Sequence, residues 1–304
     1  MSYHDAMRSA CEAVGIQPPR RIVPGRWIKS AVVGKSAANT SGRVMIDPDE
    51  QGGVAYNWTT GEHQRFHVGG APANGRSAPK RDPEADRRQQ EERREIAATC
   101  ERIVRACRHE PHPYLAAKGF PDELGLVIDD VRAALPDNKL GERLASALPE
   151  GDGPLLVVPG RIAKAVTTVQ FITVDGAKKN ILGGQMSGAA HRIATGRETW
   201  VCEGIATALT VRAALRLLGR SATVLSAFSA HNVCKVASGL TGSVVAAEND
   251  KPLEQFGGMG TGEYYARKAV RTWSMPPALG DFNDMHEQDG LRAVALHLRK
   301  VMPP

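Results

Sequence analysis

The chain contains 304 residues, of which 42% are hydrophobic and 24% are charged, and its formal net charge of +6 is compatible with a nucleic-acid partner. This length suits one large domain or two modest ones, and the apolar fraction supports a buried core. Five scattered cysteines fit a reducing cytoplasm and argue against a disulfide framework, and the lack of an apolar run of about 20 residues argues against a membrane span.

Residues 1–68 predict a small β-rich unit. A helical pattern runs from Asp5 to Val14, and three alternating segments between residues 43 and 68 indicate an antiparallel sheet. A basic segment with one aromatic residue lies between them, which suits contact with phosphates and stacking on a base. The candidate DNA-binding residues are Arg20, Arg21, Arg26 and Trp27. The alternative is a surface strand with a half-buried tryptophan.

Residues 69–109 predict a linker followed by a charged helix. Gly69 to Pro79 has the Gly-, Ala-, Pro- and Ser-rich composition of a flexible linker. A helical pattern from Pro83 to Arg108 carries an apolar stripe. The residues of the stripe are Ile96, Cys100, Ile103 and Cys107. We expect no zinc site, because the two cysteines lie on this stripe and their spacing with the following histidines matches no common zinc module.

Residues 110–198 predict a smaller α+β subdomain with a basic hairpin. Strand-like segments run from Leu155 to Pro159 and from Val166 to Ile172, and Asp175-Gly176 suits a hairpin turn. The candidate nucleotide-binding residues after the turn are Lys178, Lys179 and Arg192. Lysine charges and the glycine backbone at 183–184 are suited to phosphate groups. An ordinary exposed hairpin is the alternative.

Residues 199–304 predict an α/β domain with a mostly parallel sheet flanked by helices. Three short apolar runs alternate with helical patterns, as in βαβαβ units. The runs are Trp200–Cys202, Ala222–Phe228 and Ser243–Ala247, and the helical patterns include Ile205–Leu218, Glu263–Trp273 and Gly290–Val301. In such sheets the carboxyl ends of the strands collect the ligands.

Acidic residues follow two of these runs or lie in a later loop. They are Glu203, Glu248, Asp250, Asp281 and Asp284. Carboxylates that meet without an obvious basic partner repel one another, and a hard divalent cation such as Mg²⁺ removes this repulsion. A single glutamate at a strand end is also compatible with an ordinary charge at a helix N-terminus.

The same segments resemble a known family. Val201–Ala208, with the sequence VCEGIATA, followed by Ala246–Asp250 and Asp281–Asp284, resembles the Toprim domain of primases, topoisomerases and some nucleases. In detail these segments are similar to the Toprim DNA primases of plasmids and phages, the TraC-like and phage alpha-protein-like group. The segments at 57–62 and 112–120 are similar to the same group, but they are less specific.

The resemblance implies a DNA primase, which is a nucleotidyltransferase that makes short RNA primers on single-stranded DNA from ribonucleoside triphosphates. It implies catalytic roles for Glu203 and Asp250, and a site for Mg²⁺, with Mn²⁺ as an alternative, formed by all five acidic residues. The lysine-rich hairpin would bind the nucleotide. Glu248 departs from the family, which has aspartate at this position, and its longer side chain makes it a less regular ligand.

Two other functions stay open. One is a Toprim-type metal-dependent nuclease, and the other is a non-catalytic nucleic-acid-binding replication accessory whose metal site has decayed. Gly34-Lys35-Ser36 is similar to the end of a P-loop, but the position five residues before Gly34, where that motif requires glycine, is Lys29. We therefore expect a separate replicative helicase and no ATP-driven helicase in this chain.

Overall fold

The structure is a computed structural model that describes residues 2–33, 40–58, 63–68 and 83–301. The P-loop-like segment at 34–36 and the predicted linker from Gly69 to Pro79 lie outside the described residues. The chain divides into two compact units. The first comprises residues 1–81 and 252–259, and the second comprises residues 82–251 and 260–304. None of the helices that the structure describes is long and apolar enough to span a membrane.

The described residues of the first unit form an α-helix, a short 3-10 helix at Glu254–Phe256 and a four-stranded antiparallel sheet in the order β1-β2-β3-β4. These elements are α1 (Tyr3–Ala13), β1 (Trp27–Ser30), β2 (Gly42–Ile46), β3 (Gly52–Asn57) and β4 (His63–His67). The Ser2 and Asp5 side chains form a capping box at the start of α1. Helix α1 packs its apolar face on Val44, Ala55 and Phe66 of the sheet. The predicted helix and three strands are confirmed, and the basic segment adds a fourth strand, β1.

The second unit begins with an antiparallel sheet of five strands in the order β5-β6-β7-β8-β9. Its elements are α2 (Pro83–Ala106), β5 (Arg108–Pro111), α3 (Pro113–Ala117), β6 (Leu124–Ile128), α4 (Lys139–Ala145), β7 (Leu155–Ile162), β8 (Ala165–Ile172) and β9 (Lys178–Asn180). The predicted stripe is confirmed for Ile96, Cys100 and Ile103, which are buried against Val169 and Phe171, but α2 ends at Ala106, so Cys107 and Arg108 lie beyond the helix. The predicted hairpin turn is also present, and Gly176 there has a φ of +89°.

The second sheet of this unit has the order β10-β12-β11-β13-β14. Strands β11 to β14 pair in parallel, whereas the edge strand β10 is antiparallel. The elements are β10 (His191–Ala194), β11 (Glu198–Cys202), α5 (Ile205–Leu217), β12 (Ala222–Ser226), α6 (Ala230–Ser238), β13 (Ser243–Ala246), α7 (Thr261–Lys268), β14 (Thr272–Ser274), α8 (Phe282–Asp289) and α9 (Leu291–Leu298). Helices α5, α8 and α9 cover the face of Trp200, and α6 and α7 cover the face of Val201. The predicted mixed α/β architecture with a mostly parallel sheet is confirmed.

Two sequence expectations in this sheet are wrong. The helix expected from Glu263 to Trp273 ends at Lys268, because Val270 takes a left-handed conformation and Trp273 then lies on β14. The segment expected as an acidic loop is the start of α8. Asp281 caps this helix and accepts hydrogen bonds from the Asn283 and Asp284 backbone.

Candidate active site

The carboxyl edge of the parallel sheet brings three of the predicted acidic residues together. Glu203 directly follows β11, and Gly204 is the N-cap of α5. Glu248 and Asp250 follow β13, which pairs in parallel with β11. Because neighbouring parallel strands end at the same edge of a sheet, the two strand ends place these carboxylates close enough to interact.

The electrostatics of Glu203 and Glu248 show this proximity. Burial, and then the charge of Asp250, raises the pKa of Glu203 to about 7. Burial, followed by the charges of Glu203, Asp281 and Asp250, raises the pKa of Glu248 to about 9. A shift in this direction means that the ionised carboxylates are costly in the protein alone. The site therefore favours either protonation or an added positive charge.

Several of the acidic oxygens are already engaged by donors of the protein. The Gly262 N–H donates to Asp250 Oδ2 over 2.8 Å. The Thr207 hydroxyl donates to Asp281 Oδ2 over 2.7 Å, while Asp281 Oδ1 accepts the capping bonds of α8. The Asp284 carboxylate accepts from the Asp281 N–H over 2.9 Å. Within residues 2–33, 40–58, 63–68 and 83–301, no three Asp, Glu, His or Cys side chains are grouped so that they could hold a metal ion.

The two predicted lysines have different positions. The Lys178 ammonium lies 3.8 Å from where a Cβ at Gly204 would stand, and its charge opposes the rise in the pKa of both Glu203 and Glu248. Its ammonium also lies 5.7 Å from the centre of the Tyr114 ring. Lys179 instead donates to the Leu148 carbonyl over 2.9 Å. Successive residues of a strand point to opposite faces, so only Lys178 faces the carboxylates.

Arg192 lies on β10, and its side chain is exposed. It lines a cavity of about 270 Å³ together with residues such as His109 and Glu123. No hydrogen bond or ion pair joins Arg192 to the acidic residues in the part of the chain that the structure describes. Arg192 and Lys178 lie on strands of different sheets, β10 and β9.

Phe228 and Asn232 also shape this edge, although the motifs identified in the sequence assign them no role. Phe228 has a φ of +70°, and its backbone N–H donates to the Glu203 carbonyl over 2.8 Å. The Asn232 side chain is buried; its amide group donates to the Ala189 and Ala227 carbonyls, and its oxygen accepts from the Gly188 N–H. The sequence signal for these residues is that Phe228 ends the second apolar run and Asn232 follows it closely. Ser229, the N-cap of α6, follows the same run.

The predicted DNA-binding residues lie in the first unit. Arg20, Arg21 and Arg26 are exposed, and Trp27 is 51% exposed. Trp27 pairs with Met45, which alternates along β2 with the core residues, so Trp27 lies on the sheet face opposite α1. By the same alternation, Tyr56 and Trp58 lie on that face, and their ring centres are 4.8 Å apart. Trp58 is 65% exposed, so this face offers two exposed indole rings.

No family model matches the chain. Among solved structures, the primase fragment of the bacteriophage T7 primase-helicase protein is 12% identical, with a TM-score of 0.40, and covers 90% of this chain and 100% of its own. A chain from a structure of the T7 lagging-strand DNA polymerase, with primase domains bound to an RNA/DNA hybrid and dTTP, is 15% identical with a TM-score of 0.37. It covers 50% of this chain and 80% of its own. The zinc-binding and RNA polymerase domains of the Aquifex aeolicus primase are 10% identical, with a TM-score of 0.40. The match covers 100% of this chain and 86% of the Aquifex chain. At TM-scores of 0.40 or below, these likenesses carry no argument about activity.

Proposed function

We propose that this chain is a DNA primase that synthesises short RNA primers on single-stranded DNA in the cytoplasm. The observation that carries the proposal is the meeting of Glu203, Glu248 and Asp250 at one sheet edge, with Lys178 facing them from the neighbouring sheet. The motifs in which these acidic residues lie resemble those of Toprim primases. An acidic edge beside a cation is the arrangement that a metal-bound nucleoside triphosphate requires.

The carboxylates fit a hard divalent cation by their chemistry. Their oxygens are the donors that Mg²⁺ prefers, with Mn²⁺ as an alternative, and their mutual repulsion is the cost that a cation removes. Glu203, Glu248 and Asp250 would hold the ion after at least one side chain rotates, because no three are grouped for it now. Asp281 and Asp284, which cap α8, would contribute through their charge. A bound Mg²⁺ would polarise the phosphate and neutralise charge as pyrophosphate leaves.

The residues of the chain supply the remaining steps. Lys178 would bind the triphosphate of the incoming ribonucleotide, and Tyr114 beneath it would hold its ammonium in place. Glu203 would accept the proton of the primer 3′-hydroxyl, and Asp250 would be one of the residues that hold the ion. These roles keep Glu203 and Asp250 as the catalytic pair.

The first unit would hold the template. Trp27, Tyr56 and Trp58 would stack on unpaired bases, and the exposed Arg20, Arg21 and Arg26 would contact phosphates. Stacking suits a template whose sequence varies, because every base has an aromatic face. A separate replicative helicase would supply the single strand.

A primer-synthesis assay tests this function. Labelled ribonucleotides, mixed single-stranded DNA templates and Mg²⁺ or Mn²⁺ should give short RNA products, and Glu203→Ala and Asp250→Ala should reduce the rate by at least about a hundredfold. Shortened template without new RNA would instead indicate a nuclease. Intact DNA binding without either product would indicate a non-catalytic accessory.

The neighbouring lysines provide a matched pair of variants for the same assay. Lys178→Met should lower kcat/KM for the ribonucleotide about tenfold to a hundredfold, because it removes a charge-assisted contact with phosphate. Lys179→Met makes the same chemical change one residue along β9 and should stay within about threefold of the parent. Equal losses in both variants would contradict the role given to Lys178.

A further inference from the structure

A second site with the chemistry of a ligand pocket lies at the amino edge of the parallel sheet. A cavity of about 320 Å³ opens beside the first residue of β12 and the second half of α5. Its lining residues are Ala194, Thr195, Arg212, Leu215, Arg216, Gly219, Arg220, Ser221 and Ala222. Three are arginines, two carry hydroxyls and none is acidic.

The charge in this cavity is positive. Arg212 pairs with Glu123 over 2.9 and 2.5 Å, and Arg220 pairs with Glu198 over 2.8 and 2.6 Å. Neither glutamate lines the cavity. Arg216 is exposed and has no ion pair within the described ranges. Three guanidinium groups against two carboxylates therefore leave one positive charge that faces the cavity.

The Arg212 side chain adds an unpartnered donor. Its Nε atom is buried and has no hydrogen-bond partner in the described residues, although both terminal nitrogens bind Glu123. Buried N–H groups without a partner are rare, and they often mark a place where a water or an ion binds. An oxyanion bound in the cavity beside Arg212 would provide that partner. The Thr195 and Ser221 hydroxyls would add two further donors.

The size and the walls of the cavity indicate more than a bare anion. A volume of about 320 Å³ lies in the range of small-molecule sites, which begins at about 300 Å³. Ala194, Leu215 and Ala222 give it apolar walls beside the arginines. Guanidinium groups match phosphate oxygens in geometry and charge. We propose that this cavity binds a phosphate monoester carried on a sugar, from either a free nucleotide or the 5′ end of a nucleic-acid strand.

This pocket is distinct from the acidic edge. It lies at the start of β12, whereas Glu203 follows the carboxyl end of β11, which pairs with β12 over five residues. At about 3.3 Å per residue, the two sites are separated by roughly 13–16 Å. Phosphate binding there does not depend on primer synthesis, so it can be confirmed even if the proposed activity is absent.

Calorimetric titration tests the pocket. The full chain would be titrated in EDTA, which suppresses divalent-metal binding at the acidic edge, with ribose 5-phosphate and, as a reference, ribose. We expect binding of the phosphate ester alone. Arg216→Gln should raise its Kd about tenfold, because an ionic hydrogen bond is lost. The control is Arg292→Gln, which removes an equally exposed charge outside the cavity lining and should leave Kd within about twofold.

Binding of ribose as tight as that of its phosphate would overturn the proposal. So would equal weakening by Arg216→Gln and Arg292→Gln, since that result would show only a general attraction of anions to a basic protein. A 5′-phosphorylated DNA decamer distinguishes the two sources of the phosphate. Its competition with ribose 5-phosphate would assign the pocket to a strand end, and a lack of competition would assign it to a free nucleotide.

Discussion

Carboxylates at the two edges of the parallel sheet have pKa values that are shifted in opposite directions. At the carboxyl edge, burial and repulsion between carboxylates raise the pKa of Glu203 to about 7 and that of Glu248 to about 9. At the amino edge, burial alone would raise the pKa of Glu198, but hydrogen bonds from Arg220 and Trp200 outweigh it and hold that pKa below its ordinary value. A carboxylate at a strand terminus therefore destabilises the protein at one edge and stabilises it at the other.

The difference separates the proposed active site from an edge where the carboxylate is paired within the protein. Charges that remain uncompensated within the chain gain most from an external partner, which at the proposed active site would be a cation. Arg220 is different, because it is fully engaged by Glu198, the Leu298 carbonyl and the Trp200 ring. Of the three arginines that line the cavity, Arg216 has no ion pair in the described residues, so its charge is free to act on a ligand. Mutations at the two edges should therefore change the free energy of unfolding with opposite signs.

The largest expected effect on stability is that of Arg220→Ala. This variant leaves Glu198 without its partner in a position where both side chains are less than 20% exposed. Breaking a buried ion pair in this way typically costs about 3–5 kcal/mol, and some exposure here places the expectation near 3 kcal/mol. Urea denaturation followed by circular dichroism would measure the loss.

Arg108→Ala is the matched control for this prediction. Arg108 is likewise an ion-paired arginine, bound to the carboxylates of Glu110 and Asp129, but its side chain is 52% exposed. Ion pairs that are exposed in this way contribute little to stability. If Arg220→Ala costs no more than Arg108→Ala, the amino edge does not stabilise the fold through paired charge. The double variant Glu198→Gln, Arg220→Ala should recover part of the loss, because it removes the orphaned carboxylate.

Glu248→Gln should change the free energy of unfolding in the opposite direction. The pKa of Glu248 is raised from 4.5 to about 9 in the folded protein, so its contribution to stability is fully present below pH 4.5 and is lost as the pH rises towards 9. At pH 8 without divalent metal, the glutamine variant should be more stable than the parent, on the order of 1 kcal/mol or about 2–4 °C in Tm. At pH 4.5 the two proteins should unfold at the same temperature.

Thermal unfolding between pH 4.5 and 8.5 in EDTA would show this divergence. A parent protein that gains stability over the variant as the pH rises would contradict the raised pKa. Added Mg²⁺ should reverse the order at pH 8, because the ion binds the folded parent and the variant lacks one of its ligands. Asp49→Asn, which removes an exposed carboxylate in the first unit, should show none of these trends.

The sheet itself could be predicted from the sequence because its strands are buried on both faces. Such strands form continuous apolar runs that are visible in the sequence. The helices between them were also predictable, since the pattern expected from Ile205 to Leu218 differs from the observed α5 by one residue. The start of α8 at Asp281 could have been predicted from its capping residues. An aspartate with a second acidic residue three positions later, before a helical segment, indicates a helix start and not a loop.

The side-chain directions could not be predicted, because they depend on register. Lys178 and Lys179 are identical in chemistry, and only the pairing of β9 with β8 turns one towards Glu203 and the other towards Leu148. The cavity lined by arginines could not be predicted from the sequence for a related reason. Arg212 and Arg216 stand four residues apart on α5, which predicts that they share a helix face, but no local pattern places Ala194 and Thr195 beside them.

The smallest expected effect concerns the turn that leads into β14 at the amino edge. Val270 has a φ of 53° and is 80% exposed, and a β-branched residue in this conformation is strained without any packing to compensate. Val270→Gly should therefore raise the free energy of unfolding by about 1 kcal/mol, whereas Val270→Ala should raise it by less.

Gly219→Ala is the converse control, since a Cβ there would meet no atom within 4 Å and only its φ of +68° opposes a side chain. That variant should lose about 1 kcal/mol. A loss in both Val270→Gly and Gly219→Ala, measured by thermal unfolding, would mean that the Val270 side chain makes a stabilising contact and is not merely tolerated at this edge.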